Sequence, residues 1–452
     1  MKIQWFRSAT VGLFSESGTS LLCDPWITDG AFIGSWHHWP PLEGFEFDEL
    51  LDRPWNGIYI SHFHADHFDR RWLAAYLRSW DDVRVIIPNY ANKWLKRAVL
   101  NCGLPVSRLI EAPSNRSFKF GDFNVKIFVA DYCNPSICGS SISCGSTPRR
   151  QSSNDSVALI EADGQKVLNA NDALAVETVH KLWPVIGSVD LLLGHFGGAG
   201  PFPQCFTDLS DQVKTHKAKE TGWSFVNRLS QAAEKLQASF TFPYAGQYVL
   251  GGELCDLNPF RSVIPMQDVE KFLQESSVTT PISLAPFREF NLSTESVEEE
   301  WCEPGQIALD DYLAEIRSHT FPYQRGKEDW PDGADVLHRA LERVKDEFRS
   351  FLSEGGVGSD SSITIRSGDL LEAINFGRTN CWLSTRADFE HETVISLDKR
   401  LLRRLVVRRP GYRGFTSFHF NQAEIGSHMS WTRRGPYPPE TSFLNYMHAE
   451  SI

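Results

Sequence analysis

Apolar positions recur with two different periods along the first 325 residues, and their alternation predicts a layered α/β domain. IQWFRSATVGLF and SLLCDPW are apolar-rich runs around the turn-prone SESGT, the pattern of a β-hairpin. Residues 28–56 are rich in Gly, Pro and Trp and read as a long ordered loop. The run GIYI after them has the unbroken apolar character of a buried strand. Trp72, Leu73, Tyr76, Leu77 and Trp80 then recur at helical spacing. Strands are expected at VRVIIP, FNVKIFVAD, VDLLLGHFGG and ASFTFPY, and on both sides of the turn ADG in SVALIEADGQKVLNAND. Helices are expected over residues 91–101 and over WSFVNRLSQAAEKLQ. Strands and helices with single apolar faces bury them by stacking in layers.

Residues 324–333 are polar with Gly and Pro and mark a boundary. The expected organisation is a domain over residues 1–325 and a smaller α+β domain over 326–452. The second begins with a helix over residues 336–352, passes through the Gly/Ser loop EGGVGSDSS, and then alternates strands and short helices.

Bulk properties narrow the function classes. The 452 residues include 14 Trp and 30 Phe, enough to build a sizeable core. The net charge of -12 argues against nucleic acid as a partner, since neutralising phosphates needs clustered Lys and Arg. No apolar stretch reaches the length of a membrane span. The opening MKIQWFRSATVGLF reads as a strand, not a signal peptide. Nine scattered Cys, an odd number without CxxC pairs, fit a reducing cytoplasm better than a disulfide framework. Cys133, Cys138 and Cys144 fall in a Gly/Ser segment that reads as a loop covering the site.

The chemistry concentrates directly after GIYI. His62, His64, Asp66 and His67 lie within six residues, between a strand and a helix. Residues two apart on extended chain point the same way, so His62 and His64 can grip one ion. The turn into the helix can present Asp66 and His67 to a second. Imidazole and carboxylate donors suit one or two divalent ions such as Zn, Fe or Mn and need no thiolate.

This HxHxDH run after a strand resembles the signature of the metallo-β-lactamase superfamily, and the order of elements resembles it over residues 1–325. The resemblance implies a four-layer αβ/βα sandwich. It also implies that Asp172, at the end of LNAND, bridges two ions. DPWITDGAF, LNAND, FPYAGQY and NQAEIGS together are similar to the β-lactamase-like part of CMP-N-acetylneuraminate hydroxylase. The paired Cys-His motifs of that enzyme's Rieske module are missing from the sequence, so its reaction does not follow from the similarity.

The chain departs from the superfamily pattern at two ligand positions. No His occurs between His67 and His180, and Asn154 or Asp155 stands where another His is expected. In FTFPYAGQY, Tyr244 or Ala245 stands where the last His is expected. His195, between VDLLLG and GGAG, falls at the same sheet edge and is a replacement ligand. His180 reads as structural, and the pair His37 and His38 as loop packing. In DKRLLRRLVVRRPGYR, Leu401, Leu405 and Val406 form an apolar face, leaving Arg403 and Arg404 for an anionic substrate. Asn421 and Glu424 in NQAEIGS can reach substrate if the C-terminal part folds over the site.

The expected site is therefore His62, His64, Asp66, His67, Asp172 and His195 around metal, with Asp66 and His67 catalytic. Asn154, Asp155, Tyr244, Arg403, Arg404, Asn421 and Glu424 are candidates for substrate. The expected function is a metal-dependent hydrolase of a small anionic molecule. An iron-dependent oxygenase drawing electrons from a separate protein is the alternative, and a non-catalytic binding module is a third reading.

Overall fold

The computed structural model describes residues 1–90, 93–113, 115–129, 155–174, 176–276, 278–325, 338, 360–377, 380–406 and 418–434. Asn154, the Cys133, Cys138 and Cys144 group, and the helix expected over 336–352 (His338 apart) lie outside them.

Two sheets carry the first part of the chain. One has eight strands in the order Ser296–Val297, Glu289–Asn291, Lys2–Arg7, Thr10–Phe14, Ser20–Cys23, Gly57–Tyr59, Arg84–Pro88 and Leu109–Ala112. The other has seven, in the order Thr280–Pro281, Phe240–Tyr244, Leu191–His195, Gln165–Asn171, Ser156–Ala162, Phe123–Val129 and Ser117–Phe120. The N-terminal hairpin is antiparallel, and pairing turns parallel from Ser20–Cys23 onward. Gln165–Asn171, Leu191–His195 and Phe240–Tyr244 also run parallel. Their last residues, Asn171, His195 and Tyr244, therefore share one sheet edge.

The sheets meet through large side chains that leave water together. Trp5 of the first sheet contacts Phe242 of the second edge-on, with ring centroids 5.5 Å apart. Phe290 meets Phe240 in the same way at 5.2 Å. Helices cover the outer faces. Arg70–Ser79 buries Trp72, Leu73, Tyr76 and Leu77, the stripe expected from the sequence. Asp211–Lys235 buries Val226, Leu229, Ala232 and Ala233. It begins well before the expected WSFVNRLSQAAEKLQ, because its polar first turns have little apolar period to reveal them.

Residues 28–56 are more ordered than a loop. Trp36–His37 pairs with Val249–Leu250, and Gly44–Asp52 is a helix. That helix is started by a capping box in which the Glu46 carboxylate accepts from the Glu43 N–H at 2.7 Å. Glu46 is then fixed by buried Arg7 at 2.8 Å. The Gly and Pro around the helix dominate the local pattern and hide its apolar residues.

Further along, five strands form a third sheet in the order Cys381–Ser384, Leu370–Phe376, Ser361–Ser367, His391–Ser396 and Ser430–Arg434. Leu401, Leu402, Leu405 and Val406 of the helix Lys399–Val406 pack under it. The same core contains Phe206, Phe321 and Tyr323, so the C-terminal sheet seats on the first part of the chain. Among the described residues no helix is long and apolar enough to cross a membrane.

Candidate metal centre

The strand Gly57–Tyr59 ends at the edge where the two large sheets meet, and there Ser61 ties the backbone down. Its carbonyl accepts from Tyr90 Oη at 2.7 Å and from Ser156 Oγ at 2.9 Å. Its N–H and hydroxyl donate to the two oxygens of Asp24, at 2.7 and 2.8 Å. Asp24 is fully buried and has a left-handed backbone, φ 47°, a conformation Asp tolerates better than most residues. The chain then turns back on itself, with the His67 and Phe68 N–H groups donating to the His64 carbonyl. Asp69 caps the helix that follows, accepting from Arg71 and Trp72 N–H at 3.0 and 2.9 Å.

This geometry gathers donor atoms. His62 Nε2 lies 2.9 Å from His64 Nδ1 and 3.7 Å from Asp172 Oδ2. His67 Nε2 lies 3.3 Å from Asp172 Oδ1 and 3.7 Å from Asp66 Oδ2. One donor atom each from His62, His67 and Asp172 fits within 4.8 Å of the others. Separations of about 3 to 3.5 Å are those of neighbouring ligands on one ion with bonds near 2.1 Å. His67 Nε2 and Asp66 Oδ1 are buried without a hydrogen-bond partner among the described residues. Buried polar atoms left this way are costly, and a cation among His62, His67 and Asp172 would satisfy His67 Nε2, while Asp66 and His64 stand beside that group of three. The donor set therefore fits a divalent ion.

A second ring of contacts orients these side chains, as is usual around metal-binding imidazoles. The far nitrogen of His67, Nδ1, faces Asp24 at 3.1 Å. The far nitrogen of His62 faces Ser61 Oγ at 2.9 Å. His64 Nε2 faces Asn421 Oδ1 at 3.1 Å, so the helix Phe420–Ile425 reaches the cluster from the C-terminal part of the chain.

Asp172 is aimed by the residue before it. Asn171 has φ 36°, and its side-chain oxygen accepts from the Asp172 N–H at 2.7 Å. Its carbonyl faces His195 Nδ1 at 2.8 Å. Burial lowers the basicity of His62, His64 and His195, reaching about 4 for His64. Burial would do the same to His67, but the Asp172 and Asp66 carboxylates overcome it and raise that group. Burial pushes Asp66 up to about 7.

The other candidates are distributed around this centre. Asp155 Oδ1 is 3.8 Å from His62 Nε2, at the rim. Tyr244 is fully buried, and its hydroxyl donates to Asn169 Oδ1, two residues before Asn171. It supports the strand that leads to Asp172 from inside the core. Glu424 is buried on the helix that carries Asn421, and burial pushes it up to about 8. Arg403 and Arg404 sit on Lys399–Val406, with Arg404 over the Phe418 ring at 5.4 Å. His38 packs in its loop, with Nδ1 2.7 Å from Asp29. His180 is exposed on the helix Val176–Ile186. Asp24, Ser61 and Asn171 escaped the sequence reading. DPW and LNAND were visible as motifs, but the roles of Asp24 and Asn171 depend on backbone angles that no spacing reports.

Two facing sheets with helices outside, and a His-rich loop at their shared edge, define the αβ/βα sandwich of the metallo-β-lactamase fold. No family model matches the chain. Among curated proteins, one named for a Rieske 2Fe-2S iron-sulfur centre in Mycolicibacterium smegmatis is 26% identical over 255 residues, covering 54% of this chain and 44% of that protein. Cytidine monophosphate-N-acetylneuraminic acid hydroxylase of Danio rerio is 22% identical over 236 residues, covering 50% of this chain and 35% of the enzyme. The matched region thus spans less than half the length of these relatives. Similar solved structures include CmlA, a diiron beta-hydroxylase from Streptomyces venezuelae, with TM-score 0.40 and 18% identity over 62% of this chain and 52% of that one. The metallo-beta-lactamase fold protein YhfI from Bacillus subtilis has TM-score 0.39 and 11% identity over 63% of this chain and 96% of that one.

Proposed function

We propose that the protein is a metal-dependent hydrolase of a small anionic substrate. The observation that carries this reading is the convergence of buried His62 and His67 with Asp172, whose donor atoms lie within 4.8 Å of one another. His62, His64, His67 and Asp172 would hold one or two divalent ions, with His195 beside Asp172. Bound there, an ion would polarise a carbonyl or phosphoryl oxygen and supply hydroxide near neutral pH. Asp66 would accept a proton from the attacking water. Asp24 and Asn421 hold the His67 and His64 rings in orientation. The Arg-bearing helix Lys399–Val406 motivates the anionic class of substrate.

The curated relatives favour a second reading, because their names point to Rieske proteins and a hydroxylase. Here the same residues would hold iron for oxygenation, with electrons delivered by a separate protein.

Metal analysis of the purified protein, beside a His62→Ala/His64→Ala double variant, separates the two. Zinc or manganese that disappears in the variant supports hydrolysis and leads to a screen of esters, lactones, amides and phosphoesters. Iron that disappears in the variant supports oxygenation and leads to oxygen-uptake assays with a reductant. A wild-type protein that binds no metal after reconstitution overturns both and leaves a binding module.

A further inference from the structure

The loop that carries the candidate ligands has a second side. His62 and His67 belong to the donor cluster and His64 and Asp66 lie beside it, whereas Phe63, Ala65 and Phe68 line a separate cavity of about 400 Å³. None of His62, His64, Asp66 and His67 lines that cavity. Its other walls come from Trp26, residues 28–34, the start of the helix Arg70–Ser79, the segment 319–325, and Phe418 and Gln422. A volume of this size suits a small molecule.

The charge of the lining is uneven. Arg70, Arg71 and Arg325 all line the cavity, in a chain whose net charge is -12. Arg70 is clasped between rings, its guanidinium 4.6 Å from the Phe63 centroid and 5.5 Å from that of Phe68. Neither Arg70 nor Arg325 has an ion-pair partner among the described residues. The two lining carboxylates are occupied elsewhere. Asp69 caps its helix with one oxygen and accepts from Thr28 N–H and Oγ1 with the other, at 2.7 and 2.5 Å. Asp29 is held by the His38 N–H at 2.8 Å and its ring at 2.7 Å. Guanidinium groups on aromatic faces keep their N–H forks directed outward, a preorganised arrangement for a planar or tetrahedral anion.

We propose that this cavity binds a small organic anion, with its carboxylate or phosphate head on Arg70 and Arg325 and a flat apolar body against Phe63 and Phe418. The site uses no metal ligand, so it stands whether or not the metal reading holds.

Isothermal titration with phenyl phosphate, benzoate and neutral benzamide tests it. At least one anion is expected to bind the wild-type protein and benzamide is not. Stronger binding of phenyl phosphate assigns a phosphate head, and stronger binding of benzoate a carboxylate. Arg70→Gln and Arg325→Gln are each expected to weaken binding about tenfold, the scale of a lost charge-assisted hydrogen bond. Arg70 and Arg325 are both exposed, and Arg325 makes no ring contact among the described residues, so its variant keeps the test valid if loss of the Phe63 and Phe68 contacts makes the Arg70 variant fold poorly. A His67→Ala variant is expected to bind the anion as the wild type does. No anion binding up to about 10 mM, equal binding of benzamide, or undiminished binding in both Arg variants would overturn the site. Loss of binding in His67→Ala would overturn its independence from the donor cluster.

Discussion

Asp24 and His67 are 43 residues apart in sequence and face each other at 3.1 Å, with neither side chain exposed to solvent. The carboxylate holds His67 Nδ1 and leaves Nε2 directed at Asp172. It also holds Ser61, so one side chain fixes both ends of the loop. Asp24→Asn keeps the volume and removes the charge. The expected result is metal affinity lower by about 10- to 100-fold, the usual cost of losing an outer carboxylate. Competition against a chromogenic chelator measures it, and wild-type affinity would contradict the assigned role.

Asn421 makes the corresponding contact with His64. In Asn421→Ala the protein is expected to retain metal but hold His64 less firmly. The d–d absorption of cobalt-loaded protein should shift, and stability should fall by about 1 to 2 kcal/mol for the lost buried hydrogen bond. A spectrum identical to that of the wild type would show that His64 is oriented by other contacts.

Glu424 gives a pH prediction with a definite sign. Burial raises its carboxyl from 4.5 to about 8 in the folded protein. Between these values the unfolded chain releases a proton that the folded chain retains, so this group makes stability fall as pH rises from 4.5 to about 8. The cost at the upper end is on the order of 4 kcal/mol at most. Glu424→Gln removes it. Melting temperature should therefore rise at pH 8 and stay unchanged near pH 4.5. A variant less stable at pH 8 would mean that Glu424 has a partner that holds it ionised.

Gly197 lies two residues beyond His195, where the backbone passes Gly246 so closely that an added Cβ would sit 2.5 Å from its carbonyl oxygen. Gly197→Ala is expected to cost about 1 to 3 kcal/mol, because two backbones must separate and no flexible side chain can yield. Urea unfolding measures the loss. A variant of wild-type stability would show that the loop relaxes at little cost.

The legible parts of this chain are those where chemistry follows periodicity. The buried run GIYI, the stripe Trp72, Leu73, Tyr76 and Leu77, and the strand ends at Asp172 and His195 could be placed because each depends on neighbours in sequence. Asp24 could not, because its task arises when Ser20–Cys23 pairs with Gly57–Tyr59 and brings Ser61 above it. Tyr244 stood where a ligand was expected, and only its buried bond to Asn169 reveals a supporting role. The helix Gly44–Asp52 was hidden by flanking Gly and Pro, and the Arg-lined cavity by the distance in sequence between Arg70 and Arg325.

The contact between His64 and Asn421 spans 357 residues. At a synthesis rate of roughly 10 residues per second, about half a minute separates their appearance on the ribosome. During that interval the His-rich loop exists without the residue that faces His64. The finished arrangement is thus a late product of biosynthesis, and the nascent chain carries an incomplete one until the helix Phe420–Ile425 has emerged.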